Sequence, residues 1–239
     1  MQLYAPSPAW TVLTIMLAFA LVQATMQIGA SVLTLLNGYS LGRQRSLKRL
    51  FILNLAYIAG NVAMLMLVFG ALLYVVINTI NTIGPYDWWL LVGLPIILAA
   101  VVLIGYYRLG RGTVLWLPRI AASYLTDRAK RTRNVVEAAM LGSAATLFEL
   151  PFTIIPMIAT VYIMIAFVIP SDHFAVISIY SLIVVAPLIV IAVLVSGGHR
   201  LSTIQRWRED NKRFMQIATA AALVATALFV QAFYGRSTI

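Results

Sequence analysis

The chain has no cysteine. Disulfides, thiol redox chemistry and thiolate metal sites are thereby excluded in any compartment. Its two histidines, His173 and His199, fall in successive linkers on opposite sides of a long apolar run, so they cannot share a metal. No other cluster has ligand spacing, and no metal site is expected. A glycine-rich phosphate loop is missing, so no ATP motor is encoded. Nothing resembles a nucleophile with its base, and the expectation is a protein that is not an enzyme, with no catalytic residue and no cofactor. The opening MQLYAPSPAW lacks the positive region of a cleavable signal peptide, so the first apolar run is expected to stay as a span.

Charge is scarce as well. Only 10% of residues are charged and 62% are hydrophobic, with a mean hydropathy of +0.94. Such a composition marks a polytopic membrane protein rather than a soluble domain. The net charge of +10 does not point to nucleic acid, because the basic residues lie in short clusters between apolar runs. Six runs reach the roughly 20 residues a spanning helix needs: 10–36, 50–77, 88–107, 135–168, 174–196 and 214–233. One basic cluster holds Arg43, Arg45, Lys48 and Arg49. The next holds Arg108, Arg111, Arg119, Arg128, Lys130, Arg131 and Arg133. The last holds Arg200, Arg206, Arg208, Lys212 and Arg213. The alternate loops, 78–87 and 169–173, have no Lys or Arg. Positive charge marks the cytoplasmic side, so both termini are expected outside, in the cytoplasmic membrane. Trp88, Trp89, Tyr106 and Tyr107 sit where interfacial aromatic rings belong.

Six spans divide into two halves of three, and an odd number per half inverts the second relative to the first. The expected fold is therefore all-α: six transmembrane helices as two inverted three-helix repeats, 1–107 and 135–239, joined by a basic cytoplasmic or interfacial loop, 108–134. Within that loop TVLWLPRIAASYL, at 113–125, is expected to lie in the interface. The basic residues after it would face anionic lipid headgroups.

The fourth run organises the chain. It reads VVEAAMLGSAATLFELPFTIIPMIATVYIMIAFV and places Glu149 near its middle, followed by Pro151 and Pro156. An intramembrane carboxylate is costly and usually faces a cavity or a partner. Two prolines five apart predict an interruption of the helix between Glu149 and Pro156. An acid beside a helix break is a common way to build a transport site. Glu149 is read as a proton-coupling or substrate-binding group, against the alternative of an acid that only bonds neighbouring helices.

In the first run Gln23 and Gln27 are four apart and share a helix face, with Ser31 and Thr34 continuing it approximately. These either line a path or hold helices together by hydrogen bonds, and the second reading is favoured slightly. Asn54, Tyr57 and Asn61 recur at helical spacing beside Gly60, which suggests close helix packing. Pro95 and Pro187 are expected to kink the third and fifth runs. Glu137, near Arg131 and Arg133 at the start of the fourth run, is read as structural, where a carboxylate complements the helix dipole. The candidate substrate or ion site comprises Glu149, Pro151, Thr153, Pro156, Gln23, Gln27 and Ser31.

Two short motifs carry a family resemblance. NGYSLG at 37–42 resembles the end of the first-span motif of the cytochrome c biogenesis and disulfide-reductant membrane proteins, within the lysine-exporter superfamily. LPFTIIP at 150–156 resembles their fourth-span motif, and Glu149-Leu150-Pro151-Phe152-Thr153 is similar to a form in which Cys stands in the Phe place. The resemblance implies three-plus-three inverted spans with both termini outside. It places the family's two redox cysteines near Ser31 and on Phe152, neither of which passes electrons. What it leaves is transport of a small solute, ion or lipid-linked molecule. The competing reading is an accessory subunit of a larger membrane complex. Expected partners are the bilayer and its anionic headgroups, with other membrane subunits or a second copy open, and no nucleic acid.

Overall fold

A computed structural model describes residues 9–41, 47–79, 88–106, 119–197, 206–207 and 210–234. The structure is all-helical, with no strand among the described residues. The helices are α1 (Ala9–Thr25), α2 (Gly29–Leu41), α3 (Leu47–Thr79), α4 (Trp88–Val101), α5 (Arg119–Arg131), α6 (Val135–Phe167), α7 (His173–Ser196) and α8 (Lys212–Tyr234). A π-helical turn, Val102–Tyr106, extends α4, and a 3-10 turn, Pro170–Asp172, precedes α7.

Helices α3, α6, α7 and α8 are each long and apolar enough to cross a membrane. Helices α1 and α2 make a fifth such span if taken together, bent by 42° at their break. The described part of the third run is a shorter apolar helix. This set of helices is consistent with a multi-pass membrane protein.

The two inner faces pack through small residues. A Cβ on Gly60 of α3 would collide with the Ala139 backbone of α6, and one on Gly142 of α6 with the Tyr57 carbonyl of α3. Two backbones in contact are how helices associate in lipid, where water expulsion no longer drives them together. Ser143 and Thr146 of α6 reinforce the crossing by donating to the Gly60 and Asn61 carbonyls, at 3.0 and 3.4 Å. The packing expected around Gly60 is therefore present.

Helix α6 begins with an N-cap of the reciprocal kind. The Asn134 Oδ1 accepts from Glu137 N–H at 2.8 Å, and Glu137 Oε2 accepts from Arg133 N–H at 2.5 Å. Glu137 is thus structural, through backbone bonds. Arg49 of α3 donates to the Arg133 carbonyl at 3.2 Å, which puts the first two basic clusters at one end of the bundle. Helix α5 lies at this basic end against α2 and α6. It buries Ala121, Leu125 and Ala129, four apart, and leaves Ile120 and Arg128 outside. The 113–118 part of the expected interfacial stretch lies outside the described residues.

One expectation about continuity is corrected. The fourth run is not interrupted: α6 passes through Pro151 and Pro156 as one helix. A proline deletes one backbone donor, and a packed membrane helix absorbs that loss with neighbouring helices and hydroxyls. The carbonyls that lose their donors are those of Leu147 and Phe152, four residues before each proline; the Thr153 and Thr160 hydroxyls bond other carbonyls of the same helix, Glu149 at 3.2 Å and Pro156 at 2.8 Å. The break lies instead in the first run, at residues 26–28, where no proline stands. Pro95 and Pro187 also lie inside uninterrupted helices.

Candidate functional site

The break in the first run exposes the first N–H groups of α2, which have no partner within their own helix. Glu149 supplies one. Its Oε1 accepts from Gly29 N–H at 2.5 Å, and the Ile28 N–H faces the same carboxylate. A negative charge at a helix N-terminus also complements the dipole. The carboxylate that the sequence singles out is therefore the cap of a broken helix on another span.

Residue 29 has room for a hydrogen, and for a Cβ only at some cost to its neighbours. A Cβ there would meet Tyr57 Oη at 3.2 Å, Glu149 Oε1 at 3.3 Å and Asn61 Nδ2 at 3.4 Å. Tyr57 donates to the Gly29 carbonyl at 3.0 Å. So α3 holds one side of the Gly29 peptide and α6 the other. Glu149, Tyr57 and Asn61 are all buried, between 0% and 3% exposed.

This polar layer separates two apolar clusters. Toward the opposite end lie Ile15, Phe19, Leu65, Phe69, Met157 and Tyr180, among others. Toward the basic end lie Leu33, Leu36, Leu50, Leu141, Leu188 and their neighbours. A third cluster, around Met26, Leu98 and Leu223, flanks the break, with Phe152 packed against it.

The expected stripe of Gln23, Gln27, Ser31 and Thr34 is not one helix face, because the break cuts it. Gln23 ends up in α1, where its Oε1 accepts from Tyr180 Oη of α7 at 2.7 Å. Gln27 lies in the break, 2% exposed, with neither amide atom bonded. Ser31, in the first turn of α2, is half-buried, and its carbonyl accepts from Thr34 at 2.7 Å. Thr153 and Pro156 are buried on α6, whereas Pro151 is on an exposed face. The structure thus brings Glu149 to the Gly29 end of the first run. It leaves Pro151 out and adds Gly29, Tyr57 and Asn61.

Tyr180 was not a sequence candidate. It bonds Gln23, stacks edge-on to Phe69 with ring centroids 5.0 Å apart, and has the Thr160 hydroxyl beside it. A lone tyrosine hydroxyl in an otherwise apolar span is the signal that marks it. Gln216 of α8 was likewise missed; its Nε2 donates to the Val102 and Leu103 carbonyls at 3.2 and 2.8 Å, satisfying the π turn after α4. Among the described residues no group of three His, Cys, Asp or Glu could hold a metal ion. No protein-family model matches the chain, and neither a characterised protein nor a solved structure does.

Proposed function

We propose that this chain is a transporter-like protein of the cytoplasmic membrane that moves a small solute, an ion or a lipid-linked molecule, with its site at the break in the first span. The observation that carries this reading is the Gly29 N–H bonded to the Glu149 carboxylate. Discontinuous spans whose half-helix N-terminus meets a charged group deep in the bundle are a recurring architecture of transport sites. Glu149 is the acid set near the middle of its span, and it gains and loses a proton as it couples to the solute. Gln27 and Asn61 offer amide atoms that nothing else bonds.

The same reading includes six spans in two inverted halves, 1–107 and 135–239, with the basic loops cytoplasmic and both termini outside. The pairing of elements supports it. Exchanging the first, second and third spans for the fourth, fifth and sixth turns the contact of α3 with α6 into that of α7 with α1 and α2. It turns the contact of α4 with α6 into that of α8 with α1. Both members of each of these pairs are packed together, whereas the contact of α2 with α3 has no comparable counterpart between α6 and α7 among the described residues. The lysine-exporter likeness of 37–42 and 150–156 belongs to the same proposal, with Ser31 and Phe152 in place of redox cysteines.

One observation favours a second reading, an accessory subunit of a larger membrane complex. Glu149 is already engaged as a helix cap, and a cap is a structural use of a carboxylate. Vesicles reconstituted with the purified protein and a trapped pH dye separate the two. Neutral, acidic and basic amino acids and divalent cations are added in turn. Solute-driven proton movement in the wild type, lost in Glu149→Gln, supports the carrier. Silence toward every solute, together with stoichiometric co-purification of other subunits, supports the accessory role.

A further inference from the structure

Helices α2 and α3 hold buried amides without partners. Asn37 on α2, and Asn54 and Asn61 on α3, are at most 1% exposed. Both amide atoms of Asn37 and of Asn54, and Nδ2 of Asn61, bond to nothing in the protein. A buried amide without a partner costs free energy, so such groups are rare. Three of them on two adjacent helices call for a common explanation.

Their register supplies one. Gly29 sits against Tyr57 and Asn61, while Leu36, Leu50 and Ile58 share one apolar cluster. Helix α2 therefore runs from the break toward the basic end and α3 runs back beside it. Asn37 is about 12 Å past Gly29 and Asn54 about 10 Å before Asn61, at 1.5 Å per residue. Asn54 and Asn61 are two turns apart and share a face of α3. Asn54 and Asn61 thus mark one face of α3, which meets α2 at Gly29 and runs from the Glu149 layer toward the basic loops, and Asn37 lies buried near the basic end of α2. On the other side of the break, the hydroxyls and amides of α1 and α6 have partners: Gln23 with Tyr180, Thr25 with Thr219, Thr160 with the Pro156 carbonyl. The exceptions are the Ser181 hydroxyl on α7 and Gln231 Oε1 on α8, and in the break itself both amide atoms of Gln27.

We propose that Glu149 is reached from the basic-loop side, by water running along the seam between α2 and α3 past Asn37, Asn54 and Asn61, while the opposite side is closed by the apolar cluster and the Tyr180–Gln23 bond. This gives the proposed carrier its route of access and rests on that reading for its purpose, not for its geometry.

The cysteine-free sequence gives a clean test. Single Asn54→Cys and Asn61→Cys variants, with Val161→Cys as the comparison from the opposite cluster, are treated in sealed vesicles with a membrane-impermeant cationic methanethiosulfonate, from each side in turn. The expected result is modification at positions 54 and 61 from the basic-loop side at least tenfold faster than at 161. Rates equal to that at 161 overturn the proposal; faster modification from the opposite side overturns it too. Radiolytic hydroxyl-radical footprinting of the wild-type protein needs no variant. Tyr57 is 0% and Tyr180 2% exposed, so water beside one and not the other separates them: Tyr57 is oxidised several-fold faster than Tyr180 if the seam is wet, and equal protection overturns the proposal. Positions 54 and 61 inaccessible while proton coupling depends on Glu149 defeats this route and leaves the carrier standing. The converse result retains the route and removes the carrier.

Discussion

The Glu149 carboxylate on α6 accepts the Gly29 N–H of α2 across 120 residues of sequence, at 2.5 Å. One side chain thereby closes the end of a helix it does not belong to. The geometry of the break between α1 and α2 and the chemistry of α6 are one feature.

That bond predicts an order of stabilities. Glu149→Gln keeps an acceptor for Gly29 N–H, whereas Glu149→Leu leaves the N-terminal donors of α2 unpaired in an apolar setting. The expected loss for Glu149→Leu is about 1 kcal/mol or somewhat more, the scale of an interhelical hydrogen bond in a membrane, and less for Glu149→Gln. Thermal unfolding in detergent measures both. Equal melting temperatures for Glu149→Leu and wild type would show that the cap does not hold the break.

The α3–α6 crossing predicts a contrast among glycines. A Cβ at Gly60 or Gly142 meets backbone atoms that cannot move aside, but at Gly70 and Gly93 it meets nothing within 4 Å. Gly60→Ala and Gly142→Ala should each cost about 1–3 kcal/mol, the range for overpacking. Gly70→Ala and Gly93→Ala should stay within about 0.5 kcal/mol of wild type. Four melting curves suffice, and a tolerated Gly142→Ala contradicts the packing described.

The cap of α6 predicts a smaller effect at the basic end. Asn134→Ala removes the acceptor for Glu137 N–H and should cost about 1 kcal/mol. Asn134→Ser should recover most of it. If neither differs from wild type, the capping pair contributes nothing to the start of α6.

Topology is open to direct labelling. With the basic loops cytoplasmic, an impermeant lysine reagent applied to intact cells should leave Lys130 unmodified and react with it once the cells are opened. Modification of Lys130 from outside would invert the arrangement.

Much of this was legible in the sequence, and the physical reason is length. Apolar runs of spanning size, broken by basic clusters, gave helix positions close to those of α3, α6, α7 and α8. Glu149 stood out because an acid deep in an apolar run is costly, and Gly60 because small residues let backbones touch. The location of the break was not legible. Proline at 151 and 156 is a strong local signal for interruption, but a packed membrane helix tolerates it. The break at 26–28 has no comparable local mark beyond the small residues Gly29, Ala30 and Ser31. What sustains it is non-local: the Glu149 carboxylate and the Tyr57 hydroxyl, on two other helices, take up the freed groups of the Gly29 peptide. For the same reason Gln23 and Gln27, four apart, do not share a face.

The central claim is that Glu149 at the broken first span couples a proton to transport. Its most direct test is solute flux against pH in proteoliposomes, wild type beside Glu149→Gln, with melting temperature and gel-filtration profile of each preparation recorded. The account predicts that Glu149→Gln inserts and elutes as wild type does, yet its flux no longer changes with pH. Wild-type pH dependence retained by a folded Glu149→Gln would contradict it.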